Sequence, residues 1–410
     1  MRTEWQRVRD LFERALEEFF FSERLNRRRF IGRAGSTGLA VGGLSTLLAA
    51  CGGVEGSADK TGGDSEKKAA DVSHPKTEIG NWTWSNWPLY IDKSVIKDFN
   101  KKYGGKCKYV EEINDNFEFF GKIRQQLENG TPIGRDIITP TDYLASRLVR
   151  LNYVEPIDKK NVPNAANMAD NLKGINYDPE RNFSMPWQSG AIGLGYNIKK
   201  TGRELKSVKD LFDPKFKGRV TMLSEAYDSA NTILLGDGVD ASKATIDQIL
   251  GAIEKIDKAN RDGQFRRFTG NDYTTDLAKG NVWVSLAYSG DLIQLQSDNP
   301  DLRFAYPEEG AMLFTDNMMM PAKVQNPYAA ETMMNYVYEP EVASKIAAYV
   351  NYISPVKGVK EIFEKDDPKL AKNELIFPPE DVASNLHPYP ALSPGDERKM
   401  QEAMAQVTGA

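Results

Sequence analysis

From residue 77 onward, short β-rich runs alternate with amphipathic helical patterns, and few folds accommodate this alternation. The first series pairs strand-like runs with helical ones at 81–84 and 94–103, 108–112 and 117–128, and 136–139 and 143–151. A second series has strands at 220–223 and 282–288, with helices at 246–258 and near 292–296. Alternating strands and helices form parallel sheets covered by helices. The sequence therefore predicts an α/β protein with two lobes and a cleft between them.

The segment 186–197 lies between the two series and is apolar and glycine-spaced. We expect it to be a crossover between the lobes, with a second crossover near 288–291. This division assigns 77–186 plus about 290–330 to lobe 1. It assigns 187–289 plus about 331–410 to lobe 2.

The N-terminus carries two export motifs. Arg27, Arg28 and Arg29 precede a weakly apolar stretch at 32–50, and Leu48 to Cys51 form a lipobox, in which the cysteine thiol takes the lipid. Residues 1–50 are therefore predicted to be a twin-arginine lipoprotein signal peptide, with Cys51 lipidated and the protein anchored outside the cytoplasm. The alternatives are a retained transmembrane helix and a leader helix at 1–26 that lies on the membrane surface.

Residues 51–76 are predicted to be the lipidated cysteine and a flexible tether. The stretch is rich in Gly, Ser, Asp, Glu and Lys and has almost no large apolar side chain, so it cannot bury a core.

Composition excludes several functions. The 410 residues include 53 Lys and Arg against 58 Asp and Glu, a net charge of −5, which disfavours a nucleic-acid partner. The only histidines are His74 and His387, and the only cysteines are Cys51 and Cys107. So few of these residues disfavour histidine-based catalysis and Cys/His metal clusters. We expect no metal, no cofactor and no internal disulfide, with Cys107 a buried, inert thiol.

Aromatic and acidic residues follow four of the predicted strands. In open α/β sheets ligands bind beyond the carboxyl ends of the strands, and no Lys or Arg stands at these four ends. The residues found there are Trp87, Tyr90, Thr141, Tyr143, Glu225, Asp228, Tyr288 and Asp291. This pattern predicts a cationic ligand, although Asp228 and Asp291 could instead cap helices and the aromatic rings could belong to the core.

At the same residues the chain resembles bacterial spermidine/putrescine-binding proteins, the substrate-binding subunits of polyamine ABC importers. The matching blocks are Asn86, Trp87 and Tyr90; 136–143; Pro186, Trp187, Gly190, Gly193, Gly195 and Asn197; Asp272 and Tyr273; 280–283; Gly290 and Asp291; and Asp316 and Asn317 before Pro321. The resemblance runs from about residue 80 to 356 and implies a two-lobed periplasmic-binding-protein fold of type II. It also implies a monomer that delivers polyamines to membrane permease subunits.

By this resemblance the ligand residues are Trp87, Tyr90, Thr141, Tyr143, Glu225, Asp228, Tyr288, Asp291 and Phe314. The chain departs from the family pattern at Ser189, often aromatic, at Tyr288, often Trp, and at Phe314, where Tyr is usual. Aromatic walls and carboxylates suit a polyamine, whose methylenes need apolar surfaces and whose ammonium groups need acceptors. Binding requires no catalytic residue.

Three other functions fit parts of the pattern. A glycosidase could use Glu225 with Asp228, or Asp291 with Asp316, as its two carboxylates. A binding protein for an amino acid, an opine or a sugar would share the fold, although an α-carboxylate ligand calls for an arginine in the cleft. The third is a lipid-anchored structural or sensory protein with an emptied cleft.

Overall fold

The computed structural model describes residues 72–409. The predicted signal peptide, Cys51 and the tether up to residue 71 lie outside the described residues. His74 belongs to the folded part, because its ring lies 2.6 Å from Glu331 and its backbone N–H donates to Asp158. The predicted tether therefore ends earlier than residue 76.

The first lobe is built on a three-stranded parallel sheet in the order β2-β1-β3. The strands are β1 (Asn81–Asn86), β2 (Lys106–Glu111) and β3 (Ile137–Ile138), and the helices that follow them are α1 (Lys93–Tyr103), α2 (Asn116–Glu128) and α3 (Asp142–Arg150). Asp92 and Asp115 start α1 and α2 by accepting hydrogen bonds from backbone N–H groups of the first turn. This is the strand–helix alternation that the first series predicts.

A two-stranded ladder joins β4 (Val154–Glu155) to β11 (Met320–Pro321) beside this sheet. After β4 the chain runs through three short 3₁₀ turns at 159–172.

The second lobe contains a larger mixed sheet in the order β12-β10-β5-β8-β6-β7, with β9 also paired to β5. The strands are β5 (Met185–Asn197), β6 (Val220–Leu223), β7 (Phe265–Thr269), β8 (Val284–Tyr288), β9 (Leu302–Ala305), β10 (Ala311–Met318) and β12 (Leu386–His387). All thirteen residues of β5 are buried, which is typical of a central strand covered on both faces. The sheet is the core of this lobe.

Helices α4 to α8 lie between strands β5 and β9 in the sequence, and helices α9 to α13 follow strand β10. Their bounds are α4 (Ile198–Thr201), α5 (Ala226–Gly236), α6 (Ile246–Arg261), α7 (Tyr273–Ala278), α8 (Ser289–Gln296), α9 (Pro327–Val337), α10 (Pro340–Val350), α11 (Val359–Asp366), α12 (Glu380–Ala383) and α13 (Pro394–Thr408). A capping box of Thr245 and Gln248 starts α6.

The predicted lobe division needs correction after residue 290. Strand β10 pairs antiparallel with β5 from Met312 to Met318, so these residues belong to the second lobe and not to lobe 1. Helices α9 and α10 lie with the first lobe and not the second. The Tyr336 ring is 5.6 Å from that of Phe99 on α1, and Glu339 pairs with Lys102.

The crossovers also differ from the prediction. Residues 186–197 lie within β5 of the larger sheet, and the N-terminal part of this strand contacts the first lobe, where the Trp187 ring lies 4.9 Å from that of Trp84. The expected crossover at 288–291 is wrong, because β8 runs directly into α8 within the second lobe. The chain crosses instead between β10 and β11, where Met319 exchanges two backbone hydrogen bonds with Ile138 of β3. The two lobes also meet at an antiparallel β-bridge between Ser189 of β5 and Ile353, which follows α10.

No helix among residues 72–409 is long and apolar enough to cross a membrane.

Candidate ligand-binding site

A cavity lies between the lobes at the carboxyl ends of their strands, and together with its open mouth it holds about 370 Å³ of empty space. Its wall contains seven aromatic rings, three aspartates and three other residues. The lining residues are Trp87, Pro88, Tyr90, Thr141, Tyr143, Asp228, Asn271, Tyr288, Asp291, Phe314, Asp316, Tyr352 and Tyr389. None of these is Lys, Arg or His, so the described part of this wall carries three carboxylates and no basic side chain.

The parallel strands place most of the wall. Trp87 and Tyr90 follow β1, Thr141 and Tyr143 follow β3, and Asp228 lies in the first turn of α5 after β6. Two further strands bring Tyr288 and Asp291 (end of β8) and Phe314 (within β10). Eight of the nine predicted site residues therefore line one cavity. All of them except Phe314 lie at or just after a strand end, as the topology of open α/β sheets favours.

Asp228 is almost fully buried and accepts a hydrogen bond on each carboxylate oxygen. The Tyr288 hydroxyl donates to Oδ2 at 2.8 Å and the Tyr389 hydroxyl donates to Oδ1 at 2.7 Å. Burial raises the pKa of this carboxyl, and the two tyrosine hydroxyls oppose the rise.

Asp291 has three hydrogen-bond donors. Asn271 Nδ2 and the Tyr273 hydroxyl both reach Oδ2 at 2.7 Å, and the Tyr352 hydroxyl reaches Oδ1 at 2.7 Å. Burial again raises the pKa, against these three bonds. Tyr273 lies behind the wall and also accepts the backbone N–H of Tyr288, so it fixes both residues.

Asp316 is the third wall carboxylate, and above it appears only in a family block and in the glycosidase alternative. Thr141 Oγ1 donates to Oδ1 at 2.6 Å and the Tyr90 hydroxyl donates to Oδ2 at 2.7 Å. Burial raises the pKa of this carboxyl to about 7. Two predicted site residues from the first lobe therefore orient an aspartate of the second.

Glu225 does not line the cavity. Its buried carboxylate accepts the backbone N–H of Asn116 and lies 3.1 Å and 3.2 Å from Asn116 Nδ2. The same Nδ2 reaches Thr141 Oγ1 and the Tyr143 hydroxyl. Glu225 thus stabilises the contact between lobes behind the wall, and its placement in the ligand shell is a correction. Burial and the nearby Asp115 charge raise its pKa.

The two lobes touch beside the cavity, where residues of the second lobe donate hydrogen bonds to Asn114 and Asp115 of the first. Ser224 donates to Asp115, and the backbone N–H groups of Asn271 and Asp272 donate to the O and Oδ1 atoms of Asn114. Trp87 and Tyr90 are 7% and 5% exposed. Both rings are therefore largely covered by protein in this conformation.

Local sequence patterns do not predict several residues of the wall and of the contacts behind it. Tyr352 lies in the loop after α10. Tyr389 lies in the C-terminal segment between β12 and α13, and this residue is more than 150 positions from Asp228 in the sequence. Neither follows a strand of the alternating series. Asn116 carries no motif that separates it from an ordinary first-turn residue. Asp316 could have been found from the recurrence of carboxylates on apolar strands.

Comparison with known proteins identifies the family of this chain and several relatives. The family model for bacterial extracellular solute-binding proteins matches residues 94–378. Spermidine/putrescine-binding periplasmic protein 1 of Haemophilus influenzae is 24% identical over 302 residues, covering 73% of this chain and 81% of the relative. The putrescine-binding periplasmic protein PotF of Escherichia coli is 26% identical over 341 residues, covering 78% and 90%.

Among solved structures, PotD of Streptococcus pneumoniae, a spermidine/putrescine ABC transporter substrate-binding protein, superposes with a TM-score of 0.66 at 21% identity, covering 80% of this chain and 99% of that one. Its likeness confirms the two-lobed α/β fold. The chain belongs to the bacterial extracellular solute-binding protein family. It is a solute-binding transport protein and not an enzyme, which removes the glycosidase alternative.

Proposed function

We propose that this protein captures a polyamine, such as putrescine or spermidine, outside the cytoplasm and delivers it to the permease of an ABC importer. We further propose that lipid on Cys51 holds it at the membrane and that it acts as a monomer. The observation that carries the proposal is the wall of three buried aspartates without a basic side chain among its lining residues. The relatives from Haemophilus influenzae and Escherichia coli bind spermidine or putrescine, which supports the same class of ligand.

The wall chemistry suits ammonium groups joined by methylenes. Each ammonium group can donate charge-assisted hydrogen bonds to Asp228, Asp291 or Asp316, at about 1.5–3 kcal/mol per bond. Trp87, Tyr288 and Phe314 offer flat apolar faces to the methylenes, and a desolvated cation–π contact is worth about 2 kcal/mol. A few such contacts allow micromolar or tighter binding.

A solute with an α-carboxylate, such as an amino acid or an opine, fits this wall less well. Its carboxylate would lie among three carboxylates with no basic partner on the wall and would be repelled. A sugar would use the aromatic rings but not the negative charge. These solutes are the comparison arms of the test.

Titration calorimetry with putrescine, spermidine, a panel of amino acids and opines, and simple sugars tests the proposal. Asp228→Asn and Asp291→Asn each keep the side-chain shape and remove one charge, so polyamine affinity should fall about tenfold to more than a hundredfold. Asp298→Asn, on the exposed loop after α8, is the matched control and should bind as the parent does. An absence of heat with every polyamine overturns the ligand class, and unchanged affinity in both variants overturns the site.

A further inference from the structure

The C-terminal helix α13 meets the first lobe through a buried ion pair outside the cavity. Glu397 on α13 has a side chain only 3% exposed, and its two oxygens face two arginines of α3. Arg147 Nη2 lies 3.1 Å from Oε1 and Arg150 Nη2 lies 2.7 Å from Oε2. Helix α3 follows β3 of the first lobe, whereas α13 packs against α6 of the second. The ion pair therefore spans the two lobes.

The same face of α3 reaches the cavity wall. Tyr143 precedes Arg147 by four residues and thus lies on the same helix face, one turn away. The Arg147 guanidinium lies over the Phe117 ring at 4.9 Å, Phe117 stacks on Tyr143 at 5.8 Å, and Tyr143 stacks on Tyr227 of the second lobe at 4.6 Å. A continuous column connects Glu397 to the ligand cavity.

We propose that Glu397 with Arg147 and Arg150 forms a latch that holds the lobes closed and sets how long a ligand stays bound. When the lobes separate, α3 leaves α13 and all three charged groups return to water. When they close, the carboxylate accepts a charge-assisted hydrogen bond from Arg150 and forms an ion pair with Arg147, which is held over Phe117 beside the wall residue Tyr143. The latch stabilises the closed conformation independently of the ligand. The three residues are positioning residues, since none lines the cavity.

The inference rests on the proposed polyamine function only for its binding readout. Glu397→Gln should weaken putrescine affinity about 5- to 50-fold, mostly through a faster dissociation rate, because closed-state contacts govern release. Arg150→Gln should give a similar change. The triple variant with Glu397→Gln, Arg147→Gln and Arg150→Gln should lose little more than the single ones, because the groups act through each other. Glu402→Gln, exposed on the same helix, is the matched control.

A second readout needs no ligand. Spin labels at Lys97→Cys on α1 and Glu254→Cys on α6, on a Cys51→Ser background, report the distance between the lobes. Cys107 is buried and its pKa is raised to about 12, so it should stay unlabelled. Glu397→Gln should shift the ligand-free distance distribution towards longer distances, and a melting curve checks that the variant is folded.

An unchanged distance distribution together with an unchanged dissociation rate in both single variants overturns the latch. If the parent binds no polyamine, the proposed function fails while the distance measurement still decides the latch.

Discussion

Single carboxyl groups dominate the behaviour of this site. Asp316 has an ordinary pKa of 3.8, and burial raises it to about 7 in the folded protein. Its hydroxyl donors, Thr141 and Tyr90, lower the pKa but do not cancel the effect of burial. In the closed, ligand-free state this group therefore carries a proton through much of the acidic range. A bound polyammonium ion needs the ionised form.

Polyamine affinity should consequently fall as pH drops from 8 to 5, approaching about tenfold per unit for each carboxyl that must ionise on binding. Titration calorimetry in buffers of different ionisation enthalpy would measure the released protons. Asp316→Asn should reduce both the proton release and the pH slope. A pH-independent affinity would contradict this assignment of the charge.

The contribution of Asp316 to the stability of the ligand-free protein should change with pH in the opposite direction to the polyamine affinity. Because the folded-state pKa lies above the unfolded value of 3.8, protonation stabilises the fold. That contribution is fully present below about pH 4 and is lost as pH rises through about 7. The increase in melting temperature on adding putrescine should therefore be larger at pH 8 than at pH 5, as differential scanning calorimetry would measure.

At the scale of elements, close packing between α8 and the loop after α10 positions the wall. A Cβ added at Gly290, in the first turn of α8, would lie 2.5 Å from Tyr352 Cε2. The Tyr352 hydroxyl in turn donates to Asp291 one residue further along α8. The absent side chain at Gly290 is what allows this ring to reach the carboxylate.

Gly290→Ala should therefore move the Tyr352 ring and break its hydrogen bond to Asp291. We expect destabilisation of about 1–3 kcal/mol, typical of an overpacked core, and a loss of polyamine affinity of tenfold or more. Chemical denaturation and calorimetry would measure the two effects. Gly251→Ala is the control, because a Cβ in that turn of α6 meets nothing within 4 Å and should stabilise the helix by up to about 1 kcal/mol. Equal behaviour of the two variants would refute the packing argument.

At the scale of the whole molecule, the first described residues pack against the first lobe. His74 contacts Glu331 on α9, so the proposed tether joins the fold at the first lobe.

Cys51→Ala should release the protein from membranes, because it removes the thiol that takes the lipid. Detergent-free fractionation of cells followed by immunodetection measures the distribution. Cys107→Ala is the matched control and should leave it unchanged, since that thiol is buried in the folded part. A Cys51→Ala variant that stays in the membrane fraction would show that the leader itself is the anchor.

The sequence by itself was sufficient for the α/β class, the two series of strands and helices, and seven of the cavity residues, and the resemblance to the family added Phe314. Strand and helix periodicity is a local property, and the carboxyl ends of parallel strands meet by topology, so Trp87, Tyr143 and Asp291 could be brought together without coordinates.

Only the tertiary structure decided which lobe contains β10, that Glu225 faces Asn116 and not the cavity, and that Tyr352 and Tyr389 complete the wall. These outcomes depend on antiparallel pairing and on chain segments that return from distant positions. Such contacts are selected by the fit of whole lobes against each other, and no local pattern records them.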